Sequence, residues 1–338
     1  MKEYLLCCDW GTSSFRLQLV NIDDQQVIGE VRSTDGISDT FNAWKNEEGT
    51  SSNSRDRFFR QRLRKQVDVL SQKSSIELDD VPIVISGMAS SSIGLKELPY
   101  ATLPFPVDGS DASIVHLDPQ EDFPHHILLI SGVRSDTDVM RGEETQLIGL
   151  ASSPHLSKNL LKESILIFPG THSKHIVLSD NRLIDFQTFM TGEIFGLMAD
   201  HSILKQSVET KGLNKYAQNE LDVFKSGVDK SKSANVLNSL FTVRTNQLFS
   251  KLNKEQNFLF LSGLLIGAEL NHLRQKLGCQ LILCSGSKLF EFYKLAFEEL
   301  DLLKRTILIS DELVDKAAIS GQIKIFQNES LKSKGLSL

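Results

Sequence analysis

The feature that most constrains this chain is an internal repeat. Cys7–Ile28 reads "CCDWGTSSFRLQLVNIDDQQVI" and Leu166–Phe186 reads "LIFPGTHSKHIVLSDNRLIDF". Each is an apolar strand, then Gly-Thr-x-Ser, a second strand, an acidic turn and a third strand. Gly11, Thr12 and Ser14 in the first copy correspond to Gly170, Thr171 and Ser173 in the second. A supersecondary unit that occurs once in each half points to two domains built on one plan. The 338 residues are enough for two domains of ordinary size.

The repeat also carries a chemical reading. A glycine-containing hairpin lets backbone N–H groups approach an anion closely. Thr and Ser hydroxyls add donors of adjustable direction. Two such hairpins facing each other would grip a polyphosphate from both sides. The copies differ at one position: Asp9 stands two residues before the first glycine, and Phe168 occupies that place in the second copy. A lone carboxylate beside a triphosphate suits Mg²⁺, held directly or through water, so Asp9 is the expected metal ligand. Lys174 either offsets phosphate charge or is a surface lysine.

Around the repeat, strands and helices alternate, which gives an α/β fold with two sheets. The expected domains are residues 1–155, with the first hairpin, and 156–338, with the second. The first forty residues read as strands and Asn46–Asp56, polar and turn-rich, as a loop. "RFFRQRLRKQVDVLSQ" follows as a helix, with Phe59, Leu63, Val67 and Leu70 on one face and its basic residues on a solvated one. "VPIVISG" and "HHILLISG" are buried-type strands, and "GEETQLIGLAS" is a helix.

Composition narrows the function. A formal net charge of −6 argues against an electrostatic nucleic-acid binder. The N-terminal apolar run is too short for a signal peptide and is interrupted by Asp9, and no apolar run reaches the roughly 20 residues of a membrane helix. Cys7, Cys8, Cys279 and Cys284 lack metal-site spacing and read as reduced thiols, so the expected location is the cytoplasm.

Three further stretches carry candidate chemistry. "SGVRSDTDVMRGEETQLIGL" gathers Arg134, Asp136, Asp138, Arg141, Glu143 and Glu144 directly after a buried-type strand. A carboxylate there can accept a proton from an attacking hydroxyl, and an arginine can bind a carboxylate in bidentate fashion. "LILCSGSKLFEFYKLAF" is a strand running through Ser285-Gly286-Ser287 into a helix, whose N-terminal backbone can take a nucleotide. "ISGMASSSIGLKELPY" places Ser86, Gly87 and Met88 at a strand end before a small-residue loop, either the lining of a sugar pocket or a plain connection.

Together, "DWGTSSFR", "ISGM…GLKELPY", "SDTDVMRGEETQLIG", "PGTHSKH", "FMTGEIFGLMADHSIL" and "LSGLLIGAEL" resemble the 2-dehydro-3-deoxygalactonokinase family, from Asp9 to about Leu300. The resemblance implies membership of the actin, hexokinase and Hsp70 ATPase superfamily: two ribonuclease-H-like domains closing around ATP. It implies transfer of the γ-phosphoryl group to the 6-hydroxyl of 2-dehydro-3-deoxy-D-galactonate, with Mg²⁺ as cofactor and a small sugar acid as the partner. Asp9, Gly11, Thr12 and Ser14 fall on the first phosphate motif. Gly170, Thr171, His172, Ser173 and Lys174 fall on the second, and Gly286 and Ser287 on the adenosine contact. "GEETQLIG" resembles an exopolyphosphatase segment in which the second glutamate is the essential acid, which makes Glu144 the expected base, with Asp138 and Glu143 as competitors. In a helix from about Gly142, Glu143 and Glu144 point roughly 100° apart, so only one faces a common space. Arg16, Arg134 and Arg141, with Ser86, Gly87 and Met88, are the expected substrate contacts. Leu95 replaces a tryptophan common in relatives, which leaves the exact sugar open. A kinase for another 2-keto-3-deoxy sugar acid or sugar, or a non-catalytic nucleotide switch, are the competing readings. Neither a nucleic acid nor a membrane is expected as a partner, and a homodimer is left open.

Overall fold

A computed structural model describes residues 4–47, 52–153, 162–209, 216–233, 235–276 and 278–333. The chain divides into two compact units. One comprises Met1–Leu161, Ser179–Asp185 and Leu313–Leu338, the other Lys162–Leu178 and Phe186–Glu312.

The first unit opens with β1 (Tyr4–Trp10), β2 (Phe15–Asn21) and β3 (Val27–Ser33), then α1 (Ile37–Glu47), α2 (Ser52–Ser74) and β4 (Ile83–Gly87). Short strands β5 (Ala101–Thr102) and β6 (Phe105–Pro106) precede β7 (Ile114–Leu117) and β8 (Ile127–Ile130). The hairpin β9 (Val133–Arg134) and β10 (Val139–Met140) then leads into α3 (Glu143–Ser152). The main sheet has the order β3-β2-β1-β4-β8-β7. β1 pairs antiparallel with β2 and parallel with β4. Being central, β1 is apolar on both faces, with Leu5, Leu6, Cys7 and Cys8 all buried.

The helix α1 was not expected from a reading of the first forty residues as strands. Ile37, Phe41 and Trp44 recur at helical spacing, and Ile37 and Trp44 are buried in the core. The expected loop Asn46–Asp56 is also shorter than read: Asn46 and Glu47 end α1, and Ser52–Asp56 begin α2. Residues 48–51 lie outside the described residues. The start of α2 is held by the Trp44 indole, which donates to Ser54 Oγ at 3.0 Å, and by the Asp56–Arg60 ion pair at 2.9 Å. Along α2, Phe59, Leu63, Val67 and Leu70 are buried as their spacing predicts.

The second unit repeats the plan. It is built on β11 (Glu163–Phe168), β12 (Ser173–Ser179), β13 (Arg182–Phe189) and α4 (Thr191–His201), of which Ser179 and the first half of β13, to Asp185, group with the first unit. After them come α5 (Gln218–Ser233), α6 (Val236–Leu248), α7 (Lys254–Leu270), β14 (Gln280–Leu283), α8 (Ser287–Glu299) and β15 (Thr306–Leu308). Its strands run β13-β12-β11-β14-β15, with β14 parallel to both β11 and β15. This is the order of β3-β2-β1-β4-β8: three hairpin-connected strands, then two parallel ones.

The final helix, α9 (Asp311–Ser333), groups with the first unit from Leu313 on, in contrast to a division at residue 155. Gln322 Nε2 donates to Cys8 O and to Ser86 Oγ, each at 2.8 Å, under the ends of β1 and β4. A Cβ on Gly149 or Gly321 would lie 1.9 Å from a carbonyl oxygen of the facing helix, so α3 and α9 touch backbone to backbone. Gly227 of α5 and Gly263 of α7 make the same kind of crossing in the second unit, which explains the glycines of "LSGLLIGAEL".

Candidate active site

In the first unit the turn Gly11–Ser14 joins β1 to β2, and Gly11 N donates to Ser14 O at 2.9 Å. Thr12, Ser13 and Ser14 are exposed. The turn's carbonyls are covered from behind: Ile37 N donates to Gly11 O at 2.9 Å and Ser38 N to Thr12 O at 3.1 Å. A Cβ on Gly36 would stand 2.2 Å from Thr12 O, so only glycine lets α1 close on the turn. The second unit does the same, with Glu193 N donating to Thr171 O at 3.1 Å and a Cβ on Gly192 lying 2.7 Å from Gly170 O. The repeat therefore extends beyond the hairpin to a glycine and a helix start, a signal present in "TDGISD" and "FMTGEIF" but not used in the sequence reading.

Asp9 sits at the end of β1, opposite Arg16 on β2 and Ser86 on β4. Burial raises its carboxyl to about 6; Arg16 pulls against this and Glu143 adds to it. Glu143 and Asp9 thus share one electrostatic environment. Arg16 is committed to Glu30, at 2.7 Å from Nε, so it acts on Asp9 through space from a fixed position. Gly87 ends β4 at φ +87, where a Cβ would meet Trp10 O at 2.8 Å and Asp9 Oδ1 at 3.2 Å. Gly142, at φ +107, faces it: a Cβ there would lie 3.7 Å from Gly87 Cα.

Gly142 also starts α3. Glu144 is 2% exposed, and its carboxylate accepts from Gly142 N at 2.7 Å and from the Thr145 hydroxyl at 2.8 Å. Burial first, then the neighbouring Glu143, raises Glu144 to about 7, while those hydrogen bonds pull it down. Glu143 is half-buried. Asp138 lies in the turn of the β9–β10 hairpin, where its carboxylate accepts from Val139 N at 2.7 Å.

The expected substrate contacts are distributed differently. Arg141 donates to Ser90 Oγ at 2.6 Å, Ser131 Oγ at 3.3 Å and Leu98 O at 3.4 Å, with its guanidinium 4.0 Å from the centre of the Tyr100 ring. It ties the "SSSIGLKELPY" loop to the sheet, so that loop is held in place. Met88 is half-buried beside it, whereas Ser86 is buried with its hydroxyl taken by Gln322. Arg134 is exposed and lines a separate polar hollow of about 420 Å³ with Thr102, Asp136 and Asp185.

In the second unit, Thr171 and His172 are exposed at the turn, and the His172 imidazole bonds the Glu193 carboxylate. Ser173 is fully buried and turned inward. Lys174 is 4% exposed and donates to His172 O at 3.1 Å, which excludes the surface-lysine reading. Gly286 is the N-terminal cap of α8 and Ser287 its first residue, with no side chain capping that end. One turn on, Leu289, Phe292 and Tyr293 line an apolar cavity of about 150 Å³ with Phe195, Phe258 and Ile266, closed at one side by Gly170 and Thr191. The sequence reading missed these aromatics because they come from three helices far apart in the chain.

Among the described residues, no three His, Cys, Asp or Glu side chains are grouped to hold a metal, and no helix is long and apolar enough to cross a membrane.

Two units that each carry three hairpin strands, two parallel strands and a glycine-clamped Gly-Thr turn define a duplicated ribonuclease-H-like, actin-like ATPase fold. The crystal structure of a Sinorhizobium meliloti protein provisionally described as a 2-dehydro-3-deoxygalactonokinase superposes with a TM-score of 0.74 at 28% identity, covering 98% of this chain and 99% of that one. The profile of the 2-keto-3-deoxy-galactonokinase family matches residues 9–324, and the chain belongs to that family. The 2-dehydro-3-deoxygalactonokinase of Escherichia coli (strain K12) is 32% identical over 227 residues, 65% of this chain and 71% of the relative. A probable 2-dehydro-3-deoxygalactonokinase of Rhizobium meliloti (strain 1021) is 33% identical over 283 residues, 79% of each.

Proposed function

We propose that this protein is an ATP-dependent sugar-acid kinase that phosphorylates the 6-hydroxyl of 2-dehydro-3-deoxy-D-galactonate. The observation that carries the reading is the acid cluster at the end of β1 and the start of α3, in a chain whose Gly-Thr turn occurs twice. A non-catalytic switch has no need of a buried carboxylate oriented by Gly142 N and the Thr145 hydroxyl, with Glu143 next to it.

The first unit supplies the acceptor side. Glu144 is the general base. A carboxylate has about four acceptor positions, so the hydrogen bonds from Gly142 and Thr145 orient it and leave capacity for a sugar hydroxyl. Gly142, which donates to Glu144, has no side chain, and neither does Gly87, whose Cα lies 3.7 Å from where a Gly142 Cβ would stand. Arg141 fixes the loop that lines the sugar. The second unit supplies the donor side. The Thr171–His172 backbone and Lys174 carry phosphate, and the apolar cavity by α8 takes the flat face of the base, with Gly286 and Ser287 at its rim.

Asp9 fits Mg²⁺. That ion is commonly held by one or two carboxylates together with substrate phosphates and water, and Asp9 is a single half-buried carboxylate beside an exposed phosphate-type turn. When bound, Mg²⁺ would neutralise charge developing on the phosphates. Positioning and fixed donors then account for most of the acceleration.

A coupled assay with ATP and a panel of 2-keto-3-deoxy sugar acids tests the reading. Turnover should be greatest with the galactonate-derived acid. A preference for another acid reassigns the substrate. No turnover with any, combined with nucleotide-dependent capture of a partner protein, rejects the kinase.

A further inference from the structure

Glu269, in the last turn of α7, is 3% exposed and gathers three donors. Tyr293 donates to Oε2 at 2.8 Å and His175 Nε2 lies 3.0 Å from Oε1. The Thr191 hydroxyl also donates to Oε2. Tyr293 in turn lies 3.1 Å from Ser173 Oγ, and Gly170 N donates to Ser173 Oγ at 3.3 Å.

The proton directions follow. Tyr293 has a single hydroxyl proton and donates it to Glu269. In the contact with Ser173 the Tyr293 oxygen then accepts, at 3.1 Å against 3.4 Å for the other acceptor of that hydroxyl, Gly170 O, and the Ser173 oxygen accepts from Gly170 N. The chain Gly170 → Ser173 → Tyr293 → Glu269 is therefore polarised from end to end, and its direction is set by the carboxylate. The Ser173 hydroxyl also lies 3.4 Å from Gly170 O, so both of its acceptors belong to the turn or to its support, and Ser173 braces the turn. The Tyr293 ring and Thr191 at the same time form part of the wall of the apolar cavity.

We propose that Glu269 is a positioning residue for phosphoryl transfer, which holds the Gly170–Ser173 turn in the shape that receives the nucleotide's phosphates. The role rests on the nucleotide reading of the second unit given above. It belongs to the phosphate side of the ligand and not to the base, because the chain ends on the turn and the cavity wall is built from rings that survive its removal.

Binding of adenosine and of ADP, measured by titration calorimetry, separates the two. Tyr293→Phe keeps the ring and cuts the chain. It should leave the adenosine affinity within about twofold and weaken ADP on the order of tenfold, with a matching fall in kcat/KM for ATP. Glu269→Gln should stay near the wild type. Its amide oxygen can keep Tyr293 and Thr191, and its NH₂ can donate to His175 Nε2 once the ring proton moves to Nδ1, which has no partner in the structure. Glu269→Ala should behave as Tyr293→Phe, or fail to fold, in which case Tyr293→Phe decides. An unchanged ratio of ADP to adenosine affinity in Tyr293→Phe, or equal weakening of both ligands, overturns the positioning role. Failure of the wild-type protein to bind either ligand refutes the nucleotide reading itself, and this role falls with it.

Discussion

Glu144→Gln tests the acid cluster through stability as well as activity. The folded-state pKa of Glu144 is about 7, against an ordinary value of 4.5. The native protein therefore holds a proton that the unfolded chain releases between those values. Stability from this group is complete below pH 4.5 and declines as the pH rises to about 7, and no further loss follows above it. At about 1.4 kcal/mol per pKa unit, the full decline is roughly 3 kcal/mol. The glutamine amide of the variant cannot titrate and keeps an acceptor for Gly142 N. Denaturant titrations of the nucleotide-free protein at pH 5 and pH 8 should show the variant gaining about 2–3 kcal/mol on the wild type between the two. Asp9, raised to about 6 by burial, adds a slope of the same sign, but it is present in both proteins and cancels in the difference. The same variant should lose turnover by two orders of magnitude or more while ADP still binds, since a general base is worth roughly 10²–10⁴-fold. In the wild type, kcat should rise with pH through about 7, because the base works deprotonated. Parallel stability–pH curves for the two proteins would mean that Glu144 is ionised and solvated near neutrality, and near-normal turnover would pass the role to Asp138 or Glu143.

Asp9→Asn should abolish the Mg²⁺-dependent part of ATP binding while leaving metal-free adenosine binding intact, read by calorimetry with and without the metal. Gly36→Ala places a methyl 2.2 Å from Thr12 O and should destabilise the protein by about 1–3 kcal/mol, with Gly192→Ala acting likewise on the second turn. The control is Gly196→Ala on α4, which meets nothing within 4 Å and should stabilise by about 0.5–1 kcal/mol. Arg141→Lys cannot make three separated hydrogen bonds in a plane and should raise KM for the sugar acid far more than KM for ATP.

What the chain revealed before folding was considered follows from the range of the interactions involved. The Gly-Thr-x-Ser repeat was legible because a hairpin is a local structure and its turn needs particular residues. The duplicated sheet order then followed. The extent of the candidate site was less legible. Ser86 looks like a ligand contact in "ISGMASSS", yet its hydroxyl is taken by Gln322, 236 residues later. Arg141 looks like a carboxylate clamp, yet both its terminal nitrogens donate to Ser90, Ser131 and Leu98 of this unit. Local sequence gives the chemical type of a side chain but not which distant backbone or hydroxyl claims it. The Glu269 network was invisible for the same reason, since its members come from β12, α4, α7 and α8.

The two turns also explain why the repeat diverged where it did. Both keep glycine, threonine and a helix start with a glycine, Gly36 or Gly192, packed behind the turn. They differ in what lies beneath. The first copy ends β1 with Asp9, a carboxylate that burial raises to about 6. The second ends β11 with buried Phe168 and sends its polar support downward instead, through Ser173 to Tyr293 and Glu269. One turn has a carboxylate at its base, and the other a hydrogen-bonded chain of side chains. A chain that needed only two phosphate grips would have had no reason to separate these tasks. In the proposed kinase, Asp9 and Glu144 are both drawn from the first unit, and the Glu269 brace from the second.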